Sequence, residues 1–233
     1  MDSTPGRLAR AVREALALVL PVSCVGCGQP DSAVCPECAT RMSGPALRQE
    51  IDPGLPVWAG TAYTGAARRA ILALKNEQRT DAASALARVL ASAVDAALPE
   101  LTVLTGPSAP FALAALPSTR SAYRRRGYRP VDVVVARTPF RLEHPLVWKR
   151  QPADQISLTL EERKRNLDGS LLARKSASGR SFLLVDDVVT TGATLLESRR
   201  ALTAGGARVV GAVAIAATER RLRRVGDQFG FVE

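Results

Sequence analysis

Residues 182–194 read Phe-Leu-Leu-Val-Asp-Asp-Val-Val-Thr-Thr-Gly-Ala-Thr. Four apolar side chains, Phe182 to Val185, lead into two carboxylates, Asp186 and Asp187. A continuous apolar run bounded by a turn is the pattern of a buried strand. Open α/β sheets bind ligands beyond the carboxyl ends of such strands. Thr190, Thr191, Gly192, Ala193 and Thr194 then bring hydroxyls and backbone N–H groups to the start of a helical pattern. The first N–H groups of a helix are unpaired and lie at the positive end of its dipole, which makes an anion cradle. Carboxylates suited to vicinal hydroxyls, beside a phosphate cradle, describe a site for a ribose 5-phosphate. Asp186 and Asp187 are the expected catalytic pair, and Val188 through Thr194 the expected phosphoribosyl-binding stretch. The plainer alternative is a strand-turn-helix corner with a capping Thr. It accounts for two acids but not for the whole Thr-Thr-Gly-Ala-Thr run. The sequence contains neither G-x-x-x-x-G-K-[ST] nor G-x-G-x-x-G, so a P-loop or a dinucleotide site is unsupported.

The chain has 233 residues, enough for one substantial domain plus a small module. Hydrophobic residues make up 46%, as in ordinary globular proteins. No apolar stretch is expected to span a bilayer. The net charge of +10 invites a nucleic-acid reading. Only four lysines occur, at positions 75, 149, 164 and 175, leaving 28 arginines among the 32 basic residues. With 4% aromatic residues, stacking platforms for single strands are sparse. Near the N-terminus, Leu8, Val12, Leu16 and Val19 fall at helical spacing, whereas Glu14 and Pro21 break the pattern of a secretion signal. A cytoplasmic protein with an N-terminal amphipathic helix is expected.

All four cysteines fall within 15 residues, as Cys24-x2-Cys27 and Cys35-x2-Cys38. Two such pairs suit tetrahedral zinc, each turning back to present two thiolates. Disulfides require an oxidising compartment, and a redox pair does not explain the tandem. A closed structural zinc knuckle is expected, with no open catalytic position.

Periodicity places a strand at 57–63, a helix ending near Lys75, an Ala-rich helix at 81–98 and a strand at 111–116. A helix opens at Pro130, short strands follow at 146–148 and 171–174, and a helix runs over 195–202 before a strand at 209–216. Residues 43–56 and 102–110, rich in Gly and Pro, read as linker and loop, residues 160–166 as a short helix, and the arginine-rich tail as a solvated end. Alternating strands and helices imply a parallel sheet covered on both faces.

The motif at 186–194 matches the 5-phosphoribosyl 1-pyrophosphate (PRPP) motif of type I phosphoribosyltransferases. Across nearly the whole chain the order of segments resembles the ComF family of competence-associated phosphoribosyltransferase-like proteins. The resemblance rests on the four-cysteine knuckle and on Tyr63, Gly65 and Lys75. It continues through Pro117, then Arg124, Arg126, Gly127 and Tyr128, then Gln155, Arg163 and Asn166, and ends in the motif itself. Arg129 and Pro130 stand where relatives carry Asn-Gln, and Ser118-Thr119 where they carry other polar residues, including His.

The resemblance implies an α/β fold of the type I phosphoribosyltransferase class, a parallel sheet flanked by helices, with a small N-terminal zinc module. The expected domains are residues 1–42 and 57–233. It implies Mg²⁺ with PRPP, the diol on Asp186 and Asp187, and pyrophosphate near Arg124, Arg125, Arg126 and Lys75, with Lys149 and Arg150 secondary. The same residues of the Arg run also fit a solvated surface, and Gln155, Arg163 and Asn166 equally fit helix caps and packing. His144, the sole histidine, is expected to be structural. Three functions follow: transfer of phosphoribosyl to an unidentified acceptor, PRPP binding without turnover, or handling of single-stranded DNA beside a DNA-uptake helicase. An oligomer is compatible with each.

Overall fold

The computed structural model of the chain describes residues 22–52, 54–106, 110–150, 167–218 and 223–224. The stretch quoted first forms β7 (Ser181–Val189), inside a seven-stranded sheet. Its companions are β1 (Leu47–Asp52), β2 (Leu55–Ala62), β3 (Ala112–Ala115), β4 (Leu142–Glu143), β8 (Arg208–Ala217) and β9 (Arg223–Arg224). The order is β4-β3-β7-β8-β2-β1-β9. The five strands from β4 to β2 run parallel. β1 and β9 extend the sheet in antiparallel fashion. A separate antiparallel pair joins β5 (Leu146–Trp148) to β6 (Leu171–Ala173).

The central strands are apolar at successive positions because both faces are covered. Leu183, Val185, Val213 and Ile215 face one layer, made by α2 (Gly65–Asn76), α3 (Ala83–Thr105) and α5 (Pro130–Val135). Phe182, Leu184, Ala212 and Ala214 face the other, where α6 (Ala193–Ala204) packs with β5 and β6. Glu197 of α6, buried, accepts the Leu171 amide at 2.9 Å and holds Arg200 at 2.6 Å, which fastens β6 to the helix.

Several elements differ from the sequence reading. The segment expected as a linker carries β1, which pairs with β2 through most of its length. The Ala-rich helix does not stop at Leu98. It runs through Pro99 to Thr105, because burial of Leu101 anchors the last turns before Gly106 ends it. With the preceding turn, this helix is long and apolar enough to cross a membrane by length and composition alone. Its buried face, including Leu86, Leu90, Val94 and Ala97, lies in the core over β8 and β2, so it is a core helix here. Gly60 permits that contact, since a Cβ there would stand 2.0 Å from the Val89 carbonyl oxygen. The basic segment after Pro117, to which periodicity assigns no element, forms α4 (Arg120–Arg126), capped by the Thr119 hydroxyl. β6 pairs with β5, outside the main sheet. In the tail, Arg223 and Arg224 form an edge strand. The expected N-terminal helix, the helix at 160–166, and Gln155, Arg163 and Asn166 lie outside the described residues.

Candidate functional site

Asp186 and Asp187 belong to β7 itself, which continues through Val189. The apolar run ends before them, but the backbone ladder does not depend on side-chain polarity, and Asp186 still pairs with Ala214. Val188 packs against the core and Val189 is buried, so in the expected binding stretch these two offer main chain only. The Asp187 amide donates to Asp186 Oδ1 at 2.8 Å. Lys75 Nζ stands 2.7 Å from Asp187 Oδ1. Burial, and then the charge of Asp187, push the Asp186 carboxyl up to about 7. Lys75 opposes the rise.

Beyond the strand, Thr190 and Thr191 are exposed, while Ala193 and Thr194 are half-buried at the start of α6. Gly192 is buried in the left-handed conformation, with φ 75°, at the N-cap. A Cβ on it would lie 2.3 Å from Ile51 Cγ2, so only glycine lets β1 back this bend so closely. Among the described residues no side chain caps α6. Its first amides therefore keep their partial positive charge, apart from a long contact of 3.4 Å between the Ala193 amide and Thr191 Oγ1. Ile51 was invisible to sequence reasoning because it lies in a segment read as linker.

The Arg run does not act as one group. β3 runs parallel to β7 with Ala115 opposite Val185, so α4, which follows β3, begins at the same end of the sheet as the two aspartates. Arg124 and Arg125 are exposed in its last turn. Arg126 is half-buried, its Nε donating to the Lys75 carbonyl at 2.8 Å, and its charge is felt by Asp187. Burial, and the neighbouring Arg125, lower its proton affinity. The Tyr128 hydroxyl donates to the Leu74 carbonyl. Lys149 follows β5, and Arg150 donates to the Asp168 carbonyl at 3.0 Å. Trp148 Nε1 reaches the Ser118 carbonyl at 3.0 Å and so fixes the segment after Pro117. His144 sits 3.2 Å from Asp132 Oδ2, a structural pairing.

Away from this corner, the sulfurs of Cys24, Cys27, Cys35 and Cys38 all lie within 4.8 Å of one another. All four are free thiols. Cys27 and Cys35 sulfurs are 3.6 Å apart, close to the separation of about 3.8 Å that tetrahedral Zn–S bonds of about 2.3 Å impose. The amides of Gly26 and Cys35 donate to Cys24 Sγ at 3.3 Å each, and the Cys38 amide to Cys35 Sγ at 3.4 Å. Burial raises the Cys24 thiol, but these amide donors outweigh it and bring it to about 6. Burial drives Cys38 the other way, to about 12. Four convergent sulfurs with amide donors behind them fit a zinc ion. α1 (Pro36–Met42) begins inside the cluster, and Met42, Cys24, Cys35 and Cys38 join the core layer of α2 and α3.

Residues 125–231 match the family described as phosphoribosyl transferase domain (Pribosyltran). Curated relatives include the DNA utilization protein YhgH of Escherichia coli (strain K12), 29% identical over 197 residues, spanning 80% of this chain and 85% of the relative. The DNA utilization protein YhgH of Salmonella typhimurium is 28% identical over 188 residues, spanning 76% and 81%. Among solved structures, orotate phosphoribosyltransferase of Mycobacterium tuberculosis H37Rv in complex with Fe(III) dicitrate aligns over 78% of this chain and 82% of its own, at 18% identity and a TM-score of 0.35. A likeness that slight carries no conclusion. The domain match and the sheet give the chain a type I phosphoribosyltransferase fold, a mostly parallel sheet flanked by helices, with a four-cysteine cluster ahead of it.

Proposed function

We propose that the chain binds PRPP at the bend between β7 and α6 and transfers its phosphoribosyl group to an acceptor nucleophile. One observation carries this reading: Asp186 and Asp187 stand directly ahead of an uncapped helix N-terminus, with Lys75 on Asp187. Amides from Thr190 to Thr194 would hold the 5-phosphate. The two aspartates would orient the ribose hydroxyls. Arg124 and Arg125, exposed at the same end of the sheet, would receive the pyrophosphate. The acceptor forms a bond to C1 while the C1–O bond to pyrophosphate breaks, and that electron pair leaves with pyrophosphate. Charge developing at C1 is met by fixed carboxylates rather than by a covalent partner.

Two adjacent, half-buried carboxyls offer the hard oxygen donors that magnesium takes, and a divalent cation would favour the ionised form of Asp186. Magnesium held by these carboxyls would supply positive charge against the charge of the departing pyrophosphate. Zinc at the four cysteines would hold the N-terminal module, residues 1–42, to the sheet domain, which begins with β1 rather than at residue 57. Four ligating thiolates suit a reducing compartment, so we place the protein in the cytoplasm.

Calorimetric titration with PRPP and Mg²⁺ tests this reading. Binding is expected for the native chain and its loss for Asp186→Asn with Asp187→Asn; undiminished affinity in that double variant would refute the assignment. Release of pyrophosphate with candidate bases and amines separates turnover from binding alone.

A second reading draws on the relatives' name, DNA utilization protein, and on the net charge of +10. There the chain serves DNA uptake, with its arginines on single-stranded DNA or on a helicase partner. Affinity for single-stranded DNA should then fall steeply with salt. No binding, or binding indifferent to salt, removes that role.

A further inference from the structure

Arg126 and Tyr128 approach the same short piece of backbone from one side. Arg126 Nε donates to the carbonyl of Lys75 at 2.8 Å, and the Tyr128 hydroxyl donates to the carbonyl of Leu74. These two carbonyls belong to the last turn of α2, where helix carbonyls lose their intrahelical partners. The side chain of Lys75, projecting from that turn, is the one that reaches Asp187 Oδ1 at 2.7 Å. Beyond the helix the chain turns locally: Gln78 adopts a left-handed φ of 58°, and the amides of Glu77 and Arg79 both donate to the Ala73 carbonyl, at 3.0 and 3.2 Å. That turn serves the Ala73 carbonyl, and the long-range donors Arg126 and Tyr128 serve the next two, Lys75 and Leu74.

We infer that Arg126 and Tyr128 are positioning residues, which cap the end of α2 and thereby aim the Lys75 ammonium at Asp187. This rests on the proposed reading of the aspartate pair as the ribose site, and it assigns Arg126 a different task from Arg124 and Arg125. Arg126 is half-buried, with its Nε directed at backbone, whereas the other two project into solvent. Through Nε the guanidinium is committed to a backbone carbonyl and fixes the direction of its neighbour, while its charge adds to that of Lys75 beside Asp187. Tyr128, also half-buried, adds no charge at all and contributes only the hydroxyl. Their separation in the chain from Lys75 explains why a run of three arginines looked like one anion-binding unit.

The test uses the full chain and two readouts. The first needs no ligand: the rate at which an N-hydroxysuccinimide acetate label modifies each lysine, read by peptide mass. With only four lysines in the chain, Lys75 is resolved cleanly, and Lys149 and Lys175 serve as internal controls. Arg126→Ala and Tyr128→Phe are each expected to speed labelling of Lys75 several-fold and to leave the controls unchanged. The second readout is affinity for ribose 5-phosphate with Mg²⁺, which lacks the pyrophosphate. Arg126→Ala should weaken it by about tenfold, the scale of one hydrogen bond involving a charged donor, and Tyr128→Phe by about three- to fivefold. Adding Lys75→Met to Arg126→Ala should cost little more, because both act through one contact. An unchanged Lys75 labelling rate in both variants overturns the inference. So does an Arg126→Ala protein that loses pyrophosphate or PRPP affinity while binding ribose 5-phosphate normally. If the native chain binds neither sugar phosphate, the ribose-site reading fails on its own, and the labelling rates still decide whether these residues aim Lys75. Tyr128→Phe keeps the test available should Arg126→Ala not fold.

Discussion

Lys75 Nζ lies 2.7 Å from Asp187 Oδ1 and so ties the last turn of α2 to the strand that carries both aspartates. The two side chains are 24% and 16% exposed, so the pair is only lightly screened by water. There the helical layer reaches the candidate site with a positive charge, which opposes the rise that Asp187 causes at Asp186.

Lys75→Met is expected to lower stability by about 1–3 kcal/mol, less than the cost of breaking a fully buried pair, as read by urea unfolding at neutral pH. Combining it with Asp187→Asn should recover part of that loss, since no partnerless carboxylate then remains. A fully additive double variant would show that the pair is not coupled.

Asp186 is raised from 3.8 to about 7 in the fold. The folded chain therefore binds a proton there that the unfolded chain has released across this interval. The group's favourable contribution is present below about pH 4 and is lost as pH rises through 7. Asp186→Asn should match the native chain in stability near pH 4, gain on it as pH rises toward 7, and hold a constant advantage above. Thermal melts across that range check the sign. An advantage that instead shrinks with pH would contradict it.

The same raised carboxyl predicts proton release on ligand binding. If Mg²⁺ and ribose 5-phosphate favour ionised Asp186, binding at pH 7 should release a fraction of a proton, and less at pH 8.5. Calorimetry in two buffers of different ionisation enthalpy measures this directly. Asp186→Asn should abolish the buffer dependence.

Gly192→Ala meets both a left-handed backbone and Ile51 Cγ2 at 2.3 Å. A destabilisation of about 1–3 kcal/mol is expected, with weaker phosphate binding, since the bend that presents the amides must shift. Ile51→Ala in the same chain should restore part of the stability by removing the collision, leaving the cost of the positive φ.

Metal analysis should find one zinc per chain, lost in Cys24→Ser. Cys24, Cys35 and Cys38 are buried among core residues, so chelation should lower the melting temperature and loosen the packing around Met42. A stable metal-free protein would exclude the zinc module.

Much of the fold was legible because its signals are local. The apolar runs at Phe182 to Val185 and Val209 to Ala216 announced buried strands, and Thr190 to Thr194 announced the bend. The two C-x-x-C pairs announced a cluster whose sulfurs do converge. Where the local signal was ambiguous, the reading slipped. Gly and Pro around 43–56 hid β1, because a short strand held by pairing with β2 needs little apolar pattern of its own. Pro99 suggested a helix end that burial of Leu101 overrode.

The sequence by itself determined the motif strand and its phosphate-type bend, the parallel α/β pattern and the four-cysteine module. Each follows from side-chain periodicity or from spacing within a few residues. Only the tertiary structure decided that Lys75 reaches Asp187, that Ile51 backs Gly192, and that Arg126 grips the end of helix α2 while Arg124 and Arg125 stay exposed. Those contacts join residues far apart in the chain. They are set by how layers pack on the sheet, which no local spacing encodes.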